Sequence, residues 1–163
     1  MNDSPVIEAA PSVDELNYDS NLILGLIAGG IAMLISAIIW GIITYVTEYQ
    51  ISFMAIGVGF FVGIAIQKFG KGDSLIFGIS GAILSFLGCV LGNFLFYNGV
   101  IAKEWEVPFF ELLFALSLDP TAMIEIFSAT LDIMDLLFYG IAAYIGYKTA
   151  LGTAAQKQFQ LNK

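Results

Sequence analysis

Two aspartates in the last apolar run of the chain have the clearest potential for chemistry. Asp132 and Asp135 stand three residues apart and are followed at helical spacing by Tyr139, so a helix would place them on one face. Counted back from Lys148 at 1.5 Å per residue, Asp135 lies about 20 Å across a hydrocarbon core of about 30 Å. A carboxylate at that depth costs about 1–3 kcal/mol and must face protein or water.

Two interpretations of this pair remain open. In the functional one, Asp132 and Asp135 form a polar site on an ion or proton path, with Glu48 and Asn93 as companions on the outer side. In the structural one, Asp132 caps the last span and Asp135 hydrogen-bonds to a hydroxyl group. Candidate hydroxyl partners are those of Thr44, Tyr45 and Tyr139. The structural interpretation is favoured, because a path needs polar groups at several depths and the inner half of the run has none.

Other kinds of chemistry find no support in the residue types. The chain has no histidine and no arginine, and Cys89 is its single cysteine. These counts exclude Cys/His metal sites, disulfides within one chain, and histidine-dependent nucleophilic catalysis. We therefore expect no catalytic residue, no cofactor and no metal ligand. The net charge of −8 also argues against nucleic acid and acidic lipid as partners.

The composition is that of a membrane protein. Hydrophobic residues make up 58% of the 163 positions, charged residues only 12%, and the mean hydropathy is +0.86. A typical soluble domain is about 45–50% apolar, with about a quarter of its residues charged. A chain of this size could not hide so much apolar surface by itself, so lipid must cover part of it.

The apolar runs predict an all-α fold, an integral membrane bundle of four helices within residues 21–151. Each run approaches the roughly 20 residues that a helix needs to cross the hydrocarbon core. The predicted spans are 22–46, 51–67, 74–97 and 131–150. Pro108 and the pair Asp119-Pro120 are helix-start signals, which predict short interfacial helices at about 106–128, too short to cross.

The flanking segments set the expected topology. Residues 1–20 are acidic and are expected to form a disordered cytoplasmic tail, and 152–163 a short cytoplasmic one. No signal-peptide pattern is evident at the first run, which should remain a helix. Five of the six lysines lie on one side of the predicted bundle and only Lys103 lies on the other, so the positive-inside rule places both termini in the cytoplasm.

The two turns of the first three spans carry further signals. Aromatic rings favour the membrane interface, so they should mark the outer end of the first hairpin. These rings are Trp40, Tyr45 and Tyr49. On the inner side, residues 70–74 should supply a glycine helix stop followed by an Asp or Ser cap.

Small residues recur at helical spacing in every predicted span. In lipid, helices associate where small side chains let their backbones approach closely, and three pairs match the small-xxx-small pattern. The predicted helix-packing residues are Gly25, Gly29, Gly59, Gly63, Gly81, Gly88, Gly92 and Gly146. Packing within one chain is the simpler interpretation, and a subunit interface is the other.

Four segments also resemble a recurrent bacterial inner-membrane module of uncharacterised function. They are IWGIITYVTEYQISFMAIGVGFFVG, KFGKG, FGISGAILSFLGCVLGN and DLLFYGIAAYIGYK. In that module an aromatic-glutamine turn precedes a glycine-rich span, and the likeness covers about residues 22–148. The resemblance implies a bacterial cytoplasmic-membrane location and no known activity.

We therefore expect a non-enzymatic membrane protein that serves as an interaction or structural subunit. Its expected partners are the lipid bilayer and either further copies of the chain or other subunits of an inner-membrane complex. The alternative is a small ion or proton channel or carrier that uses Asp132 and Asp135.

Overall fold

The computed structural model of the protein describes residues 20–47 and 53–152. All regular secondary structure in these ranges is helical, which confirms the all-helical class for the described part of the chain. The helices are α1 (Leu22–Thr47), α2 (Met54–Gly70), α3 (Leu75–Glu104), α4 (Phe109–Leu118), α5 (Pro120–Thr130) and α6 (Ile133–Ala150). The expectations for residues 1–19 and 153–163, and for Glu48 and Tyr49, lie outside the described residues.

The helix bounds differ from the apolar runs mainly in α3. This helix continues past the predicted end at Tyr97 and stops only at Glu104. The continuation includes Asn98 and Gly99, which are buried rather than looped out. A polar residue and a glycine look like a helix end in the sequence, but tertiary contacts can override such local preferences.

Four helices, α1, α2, α3 and α6, pack into one bundle. Around the bundle α1 lies beside α2 and α3, and α6 lies beside the same two helices, so α1 and α6 occupy opposite corners. The contacts of Gly25 with Gly70 and with Phe77 show that α1 runs antiparallel to α2 and parallel to α3. Those of Gly59 with Ala142 make α2 and α6 parallel. Gly78 lies against Leu151 and Gly81 against Gly146, so α3 and α6 are antiparallel. Two of the four neighbouring pairs are therefore antiparallel and two are parallel.

Two of the described helices are long and apolar enough to cross a membrane by length and composition. They are α1 with 26 residues and α3 with 30 residues. The helix α2 is apolar but has only 17 residues. The apolar pair α4 and α5 is bent by 107° at its junction, so these two helices do not form one straight rod.

Charged residues divide the two ends of the bundle. Lys68, Lys71 and Lys148 lie at the end that holds the start of α1, which we call the lysine end. The opposite end, which we call the acidic end, carries Lys103 together with several exposed acids. These are Glu104, Glu106, Glu111, Asp119 and Glu125.

The turn at the lysine end corrects one detail of the expected helix stop. The residue in the left-handed region is Lys71, with a φ of 48°, and its N–H donates to the Gln67 carbonyl. The glycines on either side serve close packing instead: a Cβ atom at Gly70 would lie 3.2 Å from the Gly25 Cα, and one at Gly72 would collide with the Phe77 ring. Ser74 is the N-cap of α3 but makes no capping hydrogen bond through its side chain.

Trp40 corrects a second expectation. Its side chain is only 1% exposed and belongs to the core of the bundle rather than to an interfacial belt. The ring packs edge-on against Tyr139, with 6.4 Å between the centroids, and against Gly92 of α3. Tyr45, by contrast, is 42% exposed.

The helices α4 and α5 cover part of the acidic end. Phe94 and Ala102 of α3 form a second apolar cluster with Leu112 and Leu116 of α4. The start signal at Asp119 is confirmed, because its carboxylate accepts from the N–H groups of Thr121 and Ala122 at 3.0 and 3.1 Å. Pro108 is the N-cap residue of α4.

Candidate functional site

Asp132 and Asp135 form a capping box at the start of α6. The Asp132 Oδ1 accepts from the Ile133 N–H at 2.6 Å, and the Asp132 N–H donates to the Asp135 Oδ2 at 3.3 Å. Carboxylates at this position satisfy helix donors that have no partner within the helix and interact favourably with the helix dipole. Asp132 therefore caps α6, as the structural interpretation predicts, and Asp135 accepts from the Asp132 N–H.

The two carboxyl groups differ in their surroundings. Asp132 is exposed, whereas Asp135 is only 4% exposed and faces the interior of the bundle. One turn further along α6, Tyr139 is 1% exposed. Asp132 thus lies at the surface, whereas Asp135 and Tyr139 lie in the core of the bundle.

The Tyr139 hydroxyl lies in a polar region of the core, which we call the polar core. Its electrostatic neighbours are Asp135 on its own helix and Asn93, Cys89 and Tyr97 on α3. The Asn93 amide lies within reach of the hydroxyl, but the two groups are not aligned as a hydrogen bond. Asn93 and Asp135 therefore both neighbour Tyr139. Glu48, the other predicted companion of the carboxylates, lies outside the described residues.

Four buried polar atoms of the described residues have no hydrogen-bond partner in the protein. They are Trp40 Nε1, Thr44 Oγ1, Ser85 Oγ and Tyr139 OH. Buried polar groups are usually paired, so these atoms retain hydrogen-bonding capacity inside the bundle. Ser85 matters most for a path, because it lies two turns of α3 closer to the lysine end than Asn93.

The packing around Ser85 is nevertheless close. The Gly146 backbone of α6 lies directly against the Ser85 side chain and the Gly81 carbonyl, so no side chain would fit at that glycine. Beyond Ser85, towards the lysine end, the buried positions of α6 are Gly146 and Ala150. Polar groups thus reach about the middle of the bundle and are followed by a tight glycine contact.

All eight predicted helix-packing glycines are buried and face other helices of the same chain. Gly59 and Gly63 lie against α6, and Gly81 and Gly146 bring α3 and α6 together. The remaining four are placed similarly: Gly25 and Gly29 contact α2 and α3, Gly88 contacts α1 and α2, and Gly92 contacts Trp40. The small-residue stripes are therefore occupied within one chain.

An apolar groove, which the sequence does not predict, lies near the acidic end. It has a volume of about 690 Å³ and lies between α1, α3 and the start of α4. Its walls include Ile38 and Ile42 of α1, Leu95 of α3 and Phe110 of α4, and Tyr45 and Lys103 stand at one end of it. The volume is in the range of small-molecule sites.

Asn98 determines where α4 sits along the groove. In the amide orientation that satisfies both of its ends, its Nδ2 donates to the Phe109 carbonyl at 3.3 Å and its Oδ1 accepts from the Leu113 N–H at 3.1 Å. The residue is 1% exposed. A sequence signal exists, since Phe94, Asn98 and Ala102 recur at four-residue spacing and so share one face of a helix.

Within residues 20–47 and 53–152, no group of three or more Asp, Glu, Cys or His side chains is arranged to hold a metal ion. Comparison with protein-family models, with curated proteins and with solved structures finds no match to this chain.

Proposed function

We propose that the chain is a four-span integral membrane protein in which α1, α2, α3 and α6 all cross the bilayer. Helices of 17 and 18 residues are about 26 Å long, which is within the range accepted for spans. Both α2 and α6 run alongside the two long helices in the same bundle. Their outward faces carry exposed apolar side chains such as Phe60, Phe61, Leu136 and Leu137, which a bilayer around α1 and α3 would also surround.

We further propose that the lysine end lies in the cytoplasm of a bacterial cell, with both termini there. Positive charge near span ends favours the cytoplasmic side, and Lys68, Lys71 and Lys148 share this end whereas Lys103 is at the other. The resemblance to the bacterial inner-membrane module supports the same location.

Within that membrane, the proposed role is non-enzymatic: an interaction subunit that assembles with further copies of itself. The observation that carries this proposal is the apolar face of the α4–α5 pair. Phe114, Leu118 and Ile124 are each 68% exposed and lie outside the bundle. The glycine stripes support the choice of this face, because they are occupied inside the chain and are not available to a second copy.

Cysteine cross-linking in native membranes tests this role. Cys89 is buried and would be replaced by alanine, after which Leu118→Cys is introduced on the α4–α5 pair. The matched control is Val46→Cys at the same end of α1, where the side chain is 73% exposed against 68% for Leu118. A short bismaleimide should link two copies through position 118 and not through position 46. Equal yields at both positions would indicate random collision, and no product at position 118 would contradict self-assembly through this face.

A second candidate, an ion or proton conduit, is favoured by one specific observation. Asp135, Asn93, Tyr139 and Ser85 place buried polar groups at several depths, three of them on one side of the bundle centre. The expected assay is proton or ion flux into vesicles that contain the purified protein. A flux that falls with Asp135→Asn but not with Asp132→Asn would support the conduit, whereas equal leak in all three proteins would remove it.

A further inference from the structure

We infer that the groove between α1, α3 and α4 holds one phospholipid of the outer leaflet, with an amine-bearing zwitterionic headgroup of the phosphatidylethanolamine kind. This inference depends on the membrane placement proposed above. It does not depend on self-assembly through the α4–α5 pair, because the groove is lined by the start of α4, including Phe110, whereas the proposed interface is formed by Phe114 and Leu118 further along α4 and by α5.

The depth of the groove matches that of a lipid. Counted along α1 at 1.5 Å per residue, Ile38 is about 24 Å from Leu22 and Tyr45 about 35 Å. With Leu22 at the inner edge of a hydrocarbon core about 30 Å thick, Ile38 lies within the core and Tyr45 within the outer headgroup layer. The groove therefore runs from acyl-chain depth to headgroup depth.

The chemistry of the walls changes along the same direction. The deep part is formed by aliphatic and aromatic side chains, among them Ile38, Ile42 and Leu95. At the shallow end Lys103 Nζ lies over the Tyr45 ring, 6.0 Å from its centroid, and both residues line the groove. An apolar trough that ends in a cation and a phenol at the interface suits an amphiphile with a phosphate.

The charge around Lys103 selects among phosphates. Lys103 is followed directly by Glu104, and Glu106 is two residues further on, and all three are exposed. A headgroup with a net negative charge would be attracted by one cation and repelled by two carboxylates. A zwitterionic headgroup can place its phosphate at Lys103 and its ammonium near the carboxylates. A primary ammonium has three N–H donors for them, which a choline group lacks.

Two features make the groove a durable site rather than a transient surface depression. Gly99 and Ala102 leave room along α3 where larger side chains would fill the trough, and a Cβ atom at Gly99 would approach the Tyr45 ring to 3.0 Å. The α4 wall is fixed by the two hydrogen bonds of Asn98. The cavity thus depends on contacts made within the chain.

Native mass spectrometry of the purified full-length protein can test the inference. The protein in mild detergent is mixed with equal amounts of phosphatidylethanolamine, phosphatidylcholine and phosphatidylglycerol of the same acyl composition, and the retained lipid is identified by mass. The wild type should retain one phosphatidylethanolamine in preference to the other two lipids.

Two pairs of variants locate the site. Ile38→Trp fills the trough, and its control is Ile39→Trp, whose side chain is on the same helix at 48% exposure against 50% for Ile38 but outside the groove. Lys103→Gln removes the phosphate contact, and its control is Lys68→Gln, another lysine in the last turn of a helix. Lys103→Gln should lower phosphatidylethanolamine retention about fivefold, as expected for one lysine at a membrane surface. Ile38→Trp should also lower it, because the larger ring occupies the space of the acyl chain. Both controls should match the wild type.

Several results would overturn the inference. Equal retention in Ile38→Trp and Ile39→Trp would show that the lipid binds elsewhere, and preferential retention of phosphatidylglycerol or phosphatidylcholine would refute the headgroup assignment. No retained lipid, with a second copy of the chain seated at position 38 by cross-linking, would assign the groove to protein instead. Thermal unfolding of each variant in detergent confirms that a lost lipid does not reflect a lost fold. The cross-linking yield at position 118 reports separately on self-assembly.

Discussion

The contact between α2 and α6 at Gly59 predicts a large difference between two glycines that are two residues apart. A Cβ atom at Gly59 would collide with the Ala142 carbonyl oxygen and would lie 3.1 Å from both the carbonyl carbon and the Cα of that residue. All three atoms belong to a helix backbone, which cannot move aside by changing rotamer. At Gly57 nothing lies within 4 Å of the same atom.

The magnitude follows from these surroundings. Gly59→Ala forces α2 and α6 apart, and overpacking of a close contact typically costs about 1–3 kcal/mol. Gly57→Ala meets open space and replaces a poor helix former with a good one, which should be neutral or stabilising by up to about 1 kcal/mol. Both variants gain the same helix propensity, so they should differ in free energy of unfolding by the overpacking cost alone, about 1–3 kcal/mol.

Reversible unfolding in mixed dodecylmaltoside and SDS micelles, followed by far-UV circular dichroism, measures this difference. For a chain of this size, each kcal/mol corresponds to about 2–4 °C in Tm, so Gly59→Ala should also melt about 2–12 °C below Gly57→Ala. If the two alanine variants are equally stable, the helices do not meet at Gly59 and the packing argument fails. A loss of stability in Gly57→Ala alone would point to α2 facing the opposite way.

Three further predictions concern single contacts. Asp132→Ala removes the N-cap of α6 and should lower the free energy of unfolding by about 1 kcal/mol. In the same micelle titration, Asp132→Asn should be closer to the wild type. Identical stability of all three proteins would contradict the capping role. Asn98→Leu removes the two hydrogen bonds from α3 to α4, which should lower the free energy of unfolding by about 1–3 kcal/mol and speed hydrogen exchange of the α4 amides. Unchanged protection of these amides would contradict the two hydrogen bonds. Trp40 is 1% exposed and Trp105 is 65% exposed, so acrylamide should quench the fluorescence of Trp105→Phe much less than that of Trp40→Phe; equal quenching would place Trp40 at the surface.

The sequence predicts the helices well because their signal is local. The apolar runs and the spacing of small residues specify where helices lie, and the Asp119-Pro120 signal marks the start of α5 at the residue where the structure has it. The same kind of signal misleads at Asn98-Gly99, where a polar residue and a glycine suggest an end of α3. The amide is instead bound by α4, a partner that local pattern cannot reveal.

In the candidate site, too, features set by local sequence can be predicted and features set by tertiary packing cannot. The capping role of Asp132 can be anticipated from residue type and position, since an aspartate before an apolar run is a helix-start signal. The burial of Trp40 cannot be anticipated in this way, because tryptophan is common both at membrane interfaces and in cores. Its packing against Tyr139 and Gly92 shows that it belongs to the core. The groove likewise depends on three helices meeting, with Lys103 brought to Tyr45 from more than fifty residues away.

The order of the helices around the bundle has a consequence for biogenesis. The last helix, α6, fits between α2 and α3, both of which leave the ribosome earlier. At about 5–20 residues per second, synthesis from Glu104 to Ala150 takes about 2–9 s. During that interval the helix that packs against Gly59, Gly63 and Gly81 has not yet been made. The four helices can therefore close into their final bundle only after synthesis of α6.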